Sequence, residues 1–453
     1  MENTILIIFL IIVLYLLLLL IVSRSKKLEK YNISVFGPLL IWKTKKGKNF
    51  IERIARYRNF FNIYGNFSLC VSIFFMFLLF FILLWQSTLV FRIPAESAPT
   101  PQMMLGIPGV NPLIPIGYGI IGLAVAIAIH ELAHGVLAKV GNIEVKSQGL
   151  AFFIVPIGAF VEPDEEELKK ADKKRRARIY AVGPATNIFF GIIFAAVFSW
   201  GFMGNIDVVE KGVLIHGVVE DYPAEQAGLK PWMLITKIEG KNITEPGIKN
   251  EKDFHRIMDS TKAGDNVTIT YYFKGKHSKI NATLSDKYEY YLNVEKKEEE
   301  GYKGKGFLGV STISPHNLKN TLAHPLDTSS FESFTSKILF YVALPIYGLT
   351  PFQEPLTELY EPKFFIPHEI FWFFANVFYW LFWLNIIIGA TNFLPAVPLD
   401  GGYIFKDSVD AILKKLNVEK REILLKWTIV SMSLLILILV ILPMVVPRII
   451  GFF

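Results

Sequence analysis

Residues 120–140 read Ile120-Ile-Gly-Leu-Ala-Val-Ala-Ile-Ala-Ile-His130-Glu131-Leu-Ala-His134-Gly-Val-Leu-Ala-Lys139-Val140, an apolar stretch long enough to cross a bilayer that carries the pattern H-E-x-x-H. On a helix, positions i and i+4 share one face, so His130 and His134 can bind one zinc ion. Glu131 then lies beside the metal position as a general base for water. Ionisable groups are costly in hydrocarbon, so the cluster indicates a functional site; two structural histidines in a helix bundle are the alternative.

The composition indicates a polytopic membrane protein. Of its 453 residues 52% are hydrophobic and only 19% are charged, and several uncharged runs reach about the length of a membrane span. The net charge of +7 does not predict a nucleic-acid partner, because Lys and Arg lie next to the apolar runs, where membrane orientation explains them. Cys70 is the only cysteine, which excludes an intrachain disulfide framework and a cysteine-based zinc cluster.

The uncharged runs predict about six transmembrane helices with both termini on the outer side. The basic segment between Arg24 and Arg58 and the later basic loops are then cytoplasmic, as the positive-inside rule requires. The run at 3–23 is followed by no cleavage motif, so a retained anchor is expected. The other predicted spans are 66–90, the H-E-x-x-H stretch, 179–203, 370–399 and 427–446.

This topology fixes the depth of the polar residues. With Lys139 at the cytoplasmic end of its span, a rise of about 1.5 Å per residue places His134 about 7 Å and His130 about 13 Å inside the boundary. Asn187, in Gly183-Pro-Ala-Thr-Asn187, enters from the same side and reaches the depth of His130. Its amide could hydrogen-bond a developing oxyanion; alternatively, Gly183 and Asn187 only pack helices together.

An apolar, β-prone run follows the H-E-x-x-H span: Gly149-Leu-Ala-Phe-Phe-Ile-Val-Pro156-Ile-Gly158-Ala-Phe-Val161. It is broken by Pro and Gly and is too short to cross a membrane as a helix. We expect a re-entrant hairpin, because irregular backbone at membrane depth is tolerated against protein or a wet cavity. An ordinary cytoplasmic strand pair is the alternative.

Residues 205–313 change character, with charges and short β-prone runs, and predict a soluble α/β domain between spans. Its motif Pro223-Ala-Glu-Gln-Ala227-Gly228-Leu229, followed by a strand and by Asp253-Phe-His-Arg-Ile-Met258 as a groove helix, resembles a bacterial PDZ domain. The resemblance expects Gly-Asp where this chain has Trp232-Met233. Peptide binding is expected by analogy, and a stabilising insert without a ligand is the alternative. The short apolar segment 338–353 is expected to be partial or interfacial.

A hydrolytic zinc site needs a third protein ligand, and Asp400 is the best candidate. It is the only acid between Glu369 and Asp407, and it ends a charge-free run that reads Asn392-Phe-Leu-Pro395-Ala-Val-Pro398-Leu-Asp400-Gly-Gly. Asn392, Pro395 and Pro398 would break that helix and let the carboxylate turn inward. The alternative is that Leu-Asp-Gly-Gly is a plain helix-ending turn.

Together, the motifs H-E-L-A-H-G, G-P-A-T-N and N-F-L-P-A-V-P-L-D-G-G resemble the site-2 protease family of intramembrane zinc metalloproteases, in its PDZ-bearing branch, over roughly residues 113–402. The resemblance implies one Zn²⁺ per chain, bound by His130, His134 and Asp400. It implies Glu131 as the catalytic acid/base and Asn187 as a polar residue close to the site. The substrate implied is a membrane-anchored protein.

The predicted organisation is therefore a polytopic α-helical membrane protein with an inserted PDZ-like α/β domain. Its parts are N-terminal helices and a basic loop at 1–112, a metalloprotease core at 113–204 and 370–453, the PDZ-like domain at 205–313, and a linker at 314–369. The active site is expected near the cytoplasmic side and the PDZ-like domain on the opposite face. A membrane zinc carrier with the same ligands is the alternative function, although carriers usually show internal repeats. A proteolytically inactive PDZ scaffold is a third.

Overall fold

The computed structural model describes residues 2–24, 32–36, 39–44, 48–153, 155–241, 243–294, 297–327 and 333–451. The α-helices are α1 (Glu2–Arg24), α2 (Lys48–Ala55), α3 (Arg58–Leu89), α4 (Ile116–Val140), α5 (Glu165–Lys170), α6 (Lys173–Ala196), α7 (Pro223–Ala227), α8 (Glu251–Asp259), α9 (Lys287–Asn293), α10 (Pro315–Ala323), α11 (Phe334–Val342), α12 (His368–Asn392), α13 (Asp400–Lys415) and α14 (Arg421–Ile450). The strands are β1 (Ile33–Phe36), β2 (Leu39–Thr44), β3 (Val145–Phe153), β4 (Val155–Pro163), β5 (Ile206–Val208), β6 (Val213–Val218), β7 (Leu234–Gly240), β8 (Asn266–Phe273), β9 (Lys276–Thr283), β10 (Ser285–Asp286), β11 (Gly306–Phe307), β12 (Val310–Ile313) and β13 (Tyr360–Pro362). Two compact units result, Met1–Ala195 with Val377–Phe453 and Ala196–Asn376.

The helices confirm a polytopic α-helical membrane protein. Among the described residues, five are long and apolar enough to span a membrane: Arg58–Arg92, Ile116–Val140, Lys173–Asn205, His368–Asn392 and Arg421–Ile450. They match five of the six predicted spans. The predicted span at 3–23 lies in α1, whose described side chains begin at Val13, so this prediction is tested only along its second half.

Side-chain size determines which face of α3 points inward. Gly65, Ser68 and Ser72 are buried, whereas Phe67 and Phe74 on the other side are more than half exposed. Small residues allow neighbouring helices to approach closely, and large apolar residues suit contact with lipid. The pattern is that of a membrane helix with one protein-facing stripe.

The strands β1 to β4 form one antiparallel sheet in the order β1-β2-β3-β4. The hairpin β3–β4 confirms strands in the region 149–161, and Ile154 at its turn lies outside the described residues. The strands β1 and β2 lie within the basic segment between Arg24 and Arg58, which the sequence presented only as a loop. Because β3 is paired on both sides, β4 is the sheet edge beyond it.

The charge-free run 370–399 is broken, as its Asn392, Pro395 and Pro398 predict. The helix α12 stops at Asn392, residues 393–399 are not helical, and α13 begins at Asp400. Pro395 and Pro398 explain the break, since proline lacks the N–H that a continuing helix needs. The alternative interpretation of Leu-Asp-Gly-Gly as a helix-ending turn is wrong, because these residues start a helix whose positive N-terminus favours the Asp400 carboxylate.

The core of the first unit that lies beside the H-E-x-x-H motif is built from α2, α4, the loop after α4, the start of β3, and α6. Its buried members are Ile51, Ala55, Val136, Leu137, Ala138, Val140, Ile143, Val145, Ile179 and Val182. Burial of a Val, Leu or Ile side chain of this kind contributes about 1.5–3 kcal/mol. It therefore fixes the C-terminal half of α4 and the N-terminal half of α6 against each other.

The second unit contains the inserted α/β domain, and the PDZ-like prediction is confirmed. A five-stranded antiparallel sheet in the order β12-β6-β7-β8-β9 packs with α7 and α8 around one apolar core. The predicted turn-helix is α7, which ends at Gly228 in the left-handed region with φ 88°, and the predicted groove helix lies within α8. Trp232 replaces the expected glycine and still adopts φ 72°, a conformation that glycine favours.

The apolar segment at 338–353 forms no span. The helix α11 has nine residues, and a nine-residue helix is only about 14 Å long against a hydrocarbon core of about 30 Å. The chain then continues in turns up to the short strand β13, which pairs with β5. This agrees with the prediction of a partial segment.

Candidate active site

The helix α4 carries both histidines on one face. His130 and His134 are four residues apart, their ring centroids are 4.7 Å apart, and the rings meet edge to face at 76°. Both side chains are nearly enclosed, with exposed fractions of 9% and 12%. The i and i+4 spacing therefore produces the pair of imidazoles that the sequence predicted.

Asp400, the first residue of α13, lies beside the two histidines. Its Oδ2 atom lies 3.0 Å from His130 Nε2 and 3.3 Å from His134 Nε2. Two glycines allow this approach: a Cβ atom on Gly401 would lie 2.2 Å from the Phe393 carbonyl oxygen, and one on Gly402 would lie 2.4 Å from the Ala396 carbonyl carbon. The first turn of α13 can therefore pack directly on the 393–399 segment.

These three side chains fit a zinc ion. One ligand atom from each of His130, His134 and Asp400 lies within 4.8 Å of the other two. Ligand atoms around a tetrahedral zinc, with bonds of about 2.0 Å, are separated by about 3.3 Å, close to the two distances above. Two imidazoles and one carboxylate leave a fourth position open, which is the pattern of catalytic rather than structural zinc sites.

His134 is oriented by a backbone group. Its Nδ1 lies 2.6 Å from the carbonyl oxygen of Ile179 on α6. A carbonyl can only accept, so Nδ1 carries the hydrogen and donates, which leaves the lone pair of Nε2 for a metal. Ile179 itself is buried, so this contact is protected from water.

Asn187 provides the corresponding contact for His130. Its Nδ2 lies 3.3 Å from His130 Nδ1, and its Oδ1 is buried without a hydrogen-bond partner. Turning the amide by 180° exchanges the two ends, and the oxygen then accepts from Nδ1–H of His130. That orientation satisfies the buried oxygen and leaves Nε2 of His130 for a metal. The predicted oxyanion role of Asn187 stays a prediction.

Gly183 creates the space in which the imidazoles meet. A Cβ atom at this position would lie 2.4 Å from His134 Nε2 and 2.8 Å from His130 Nε2. Any side chain at position 183 would therefore collide with the imidazole nitrogen atoms that face a metal. Gly183 belongs to the Gly-Pro-Ala-Thr-Asn motif, but nothing in its residue type favours this role over helix packing.

Glu131 contacts the edge strand of the hairpin. The backbone N–H of Val161 on β4 donates to Glu131 Oε2 at 3.0 Å. Because that N–H bonds to the glutamate, it points away from β3, so the unpaired edge of β4 faces the H-E-x-x-H helix. The sequence predicted both elements but not their contact.

The structure thus brings together His130, Glu131, His134, Asn187 and Asp400, all the residues singled out from the sequence. The groups that sequence reasoning missed are the Ile179 carbonyl and the Val161 amide. Both are backbone groups, so no residue type signals them.

Comparison with known families gives one match that covers most of the chain. The model described as Peptidase family M50 matches residues 118–437. That range begins in α4 and ends in α14, and it contains every residue of the site described above.

The name of one similar protein agrees with this match. The chain is 28% identical over 392 residues to a Methanocaldococcus jannaschii protein named "Uncharacterized protein", covering 85% of this chain and 82% of that one. It is 26% identical over 336 residues to a Brucella suis protein named "Putative zinc metalloprotease", covering 64% of this chain and 84% of that one. Among solved structures, the PDZ domain of the SdrC-like protein of Listeria monocytogenes matches 26% of this chain and 99% of that chain, with 23% identity and a TM-score of 0.18.

Proposed function

The chain belongs to peptidase family M50, and from this premise we propose that it is an intramembrane zinc metalloendopeptidase of the site-2 protease type that cleaves membrane-anchored proteins. One observation carries the proposal: His130, His134 and Asp400 converge within 4.8 Å, and both histidines and the adjacent Glu131 lie on α4, a helix long and apolar enough to cross a membrane. The name of the Brucella suis relative also supports zinc as the metal. One ion per chain is proposed.

Each residue of the site would have a distinct role in peptide-bond hydrolysis. Zinc, when bound, supplies a Lewis acid that polarises a peptide carbonyl and acidifies water. Glu131 takes a proton from the attacking water and passes it to the leaving amine. Its Oε2 already accepts from Val161 N–H, so Oε1 is the oxygen that takes the proton. The Ile179 carbonyl and Asn187 hold the two imidazoles in the tautomer that ligation needs.

A helical substrate must unwind before its amides are accessible, and β4 can hold it extended. Val161 turns its N–H away from β3, and Ala159, two residues earlier, presents its backbone to the same edge. A substrate strand added along this edge would lie beside Glu131. Ala159→Pro removes an outward N–H and should impair cleavage more than zinc binding; cleavage at the wild-type rate would count against this route.

The sidedness follows from charge. We propose that the ends of α3, α4 and α6 at Arg58, Val140 and Lys173 face the cytoplasm, since Lys and Arg concentrate there. The PDZ-like domain then lies on the opposite face. Cysteine labelling at Ser278, in a Cys70→Ala background in sealed vesicles, tests this. Labelling from the cytoplasmic side would reverse the topology.

The PDZ-like domain would bind an extended peptide. A cavity of about 90 Å³ lies between α8, which contributes Phe254 and Met258, and the start of β12, where Leu308 and Val310 line it. Because β12 is an edge strand, a peptide can add to the sheet there. Met258→Arg should abolish binding of peptides recovered from the trapping experiment below, whereas exposed Lys252→Arg should not.

The direct test of the proposal is the Glu131→Gln variant in vesicles. The amide is nearly isosteric but cannot accept a proton, so cleavage should fall by about two orders of magnitude or more. Zinc should remain bound, and trapped membrane peptides should co-purify for sequencing. Exposed Glu165→Gln is the matched control. Wild-type cleavage by Glu131→Gln would refute the mechanism, and zinc uptake into vesicles would favour a carrier.

A further inference from the structure

A polar cavity of about 330 Å³ lies where three membrane helices of the first unit have an end. Here α3 begins, α4 ends and α6 begins. The cavity is separate from the metal centre and shares no side chain with it. Its charged lining residues are Arg58, Asp172, Lys174, Arg175 and Arg178, and the amide of Asn142 lines it as well.

The cavity is strongly cationic. Four of its lining residues are Lys or Arg, and Asp172 is its one acidic member. Arg175 contacts Asp172 at 3.2 Å. In the described part of the chain, no carboxylate lies within ion-pair distance of Arg58, Lys174 or Arg178, so three charges lack an opposite charge.

Two of these cations are nevertheless held in place. Arg58 Nη2 donates to Asn142 Oδ1 at 2.8 Å, and Arg178 Nε donates to Asn66 Oδ1 at 2.8 Å. The amide oxygens orient the guanidinium groups without cancelling their charge. A fork of N–H donors with uncompensated charge suits the oxygens of a phosphate group.

The surface next to the cavity is apolar and faces outward. On α3, Ile63 is 71% exposed and Phe67 is 61% exposed, directly after Asn62 and Asn66 in sequence. A membrane helix presents such side chains to acyl chains. An occupant with a phosphate in the cavity could therefore extend its hydrocarbon tail along α3, which a soluble phosphate could not do.

We infer that this cavity binds the headgroup phosphate of an anionic phospholipid, with Arg58, Lys174 and Arg178 as its charged contacts. Basic cavities between membrane helices at the cytoplasmic boundary are suited to anionic headgroups. The positive-inside rule accounts for the sign of the charge at this boundary. It accounts neither for a cavity nor for guanidinium groups anchored by neutral amides.

The test measures lipid retained by the purified full-length chain. Native mass spectrometry after incubation in mixed micelles of phosphatidylglycerol and phosphatidylcholine should show about one phosphatidylglycerol held in preference per chain. In the Arg58→Gln/Lys174→Gln variant, the ratio of retained phosphatidylglycerol to retained phosphatidylcholine should fall at least tenfold. Both side chains are exposed, so the fold should be retained. The charge-conserving Arg58→Lys/Lys174→Arg variant should keep the wild-type ratio.

Lys169→Gln/Lys170→Gln is the matched control. It removes the same charge from exposed residues of α5 that pair with Glu165 and Glu166 outside the cavity. It should bind phosphatidylglycerol like the wild type. Equal retention by wild type and Arg58→Gln/Lys174→Gln would overturn the inference. Displacement of the lipid by inorganic phosphate would also contradict it, because the site would then be one for soluble phosphate.

Discussion

Arg176 donates two hydrogen bonds to the carboxylate of Asp407, from Nε to Oδ2 at 2.7 Å and from Nη2 to Oδ1 at 2.8 Å. Both side chains are more than four-fifths buried. Asp407 lies seven residues after Asp400, which is about two helical turns, so both face the same side of α13. The pair therefore joins α6, which carries Gly183, to α13, which supplies the third metal ligand.

Arg176→Met should destabilise the protein by about 3 kcal/mol, because it leaves a buried carboxylate unpaired. It should also weaken zinc binding by loosening α13. The double variant Arg176→Met/Asp407→Leu should recover stability, since it removes the unpaired charge. Thermal unfolding and zinc titration measure both effects. Arg175→Gln, which breaks the exposed ion pair with Asp172, is the control. If Arg176→Met lowered the free energy of unfolding no more than Arg175→Gln does, the Arg176–Asp407 pair would make no special contribution.

Asp410 predicts an acid-sensitive part of the stability. Its carboxylate accepts from Lys173 at 2.6 Å and from Arg421 at 2.6 Å. The Lys173 hydrogen bond, followed by that of Arg421, holds the pKa of Asp410 below its ordinary value of 3.8. This stabilisation is present above the ordinary value and is lost as the pH falls through it toward the lowered pKa.

The melting temperature of the wild type should therefore fall more steeply than that of Asp410→Asn between about pH 5 and pH 3. Near neutral pH the variant should be the less stable protein. Parallel curves for the two proteins over this acidic range would show that Asp410 makes no such contribution.

Gly183→Ala should lose most of its zinc, because the added methyl group would lie 2.4 Å from His134 Nε2. Gly201→Ala is the control on the same membrane span, since its methyl group would meet nothing closer than 3.7 Å. Metal analysis of the two purified variants compares them. Full zinc content in Gly183→Ala would mean that α6 can move aside without harm to the site.

Asn187→Leu should lower zinc affinity about tenfold or more, because His130 loses the partner that fixes its tautomer. The readout is a competitive zinc titration together with kcat. A fall in kcat at unchanged zinc affinity would instead favour the oxyanion role predicted from the sequence.

The metal ligands could be predicted because each left a local signal. The spacing of His130 and His134 fixes their shared helix face, and Asp400 stands out as an isolated acid after a long charge-free run. The position of Asp400 relative to its helix was predicted less well. A break was predicted at Asn392, Pro395 and Pro398, but the residue types do not say at which of the three α12 stops, and it stops at Asn392.

The features that escaped prediction depend on tertiary pairing. The strands β1 and β2 are short and lie in a basic segment; β1 pairs with β2, and β2 pairs with β3, a partner about 100 residues later in the chain. The Ile179 carbonyl and the Val161 amide belong to the backbone and leave no mark in the residue types. The close approach of Gly183 to the histidines also could not be predicted, because it depends on how α4 packs against α6.

The zinc content of Asp400→Asn tests the metal centre most directly. Asp400 is the ligand that lies 270 positions after His130 in the sequence, and only the fold brings it to the two histidines. The amide of Asn is nearly the same size and shape as the carboxylate of Asp but is a poor zinc ligand, so this variant changes ligation while it leaves the packing at the start of α13 in place. Metal analysis of the purified, monodisperse protein should find most of the zinc lost and no cleavage of a membrane substrate. Full zinc occupancy in Asp400→Asn would contradict the assignment of Asp400 as the third ligand.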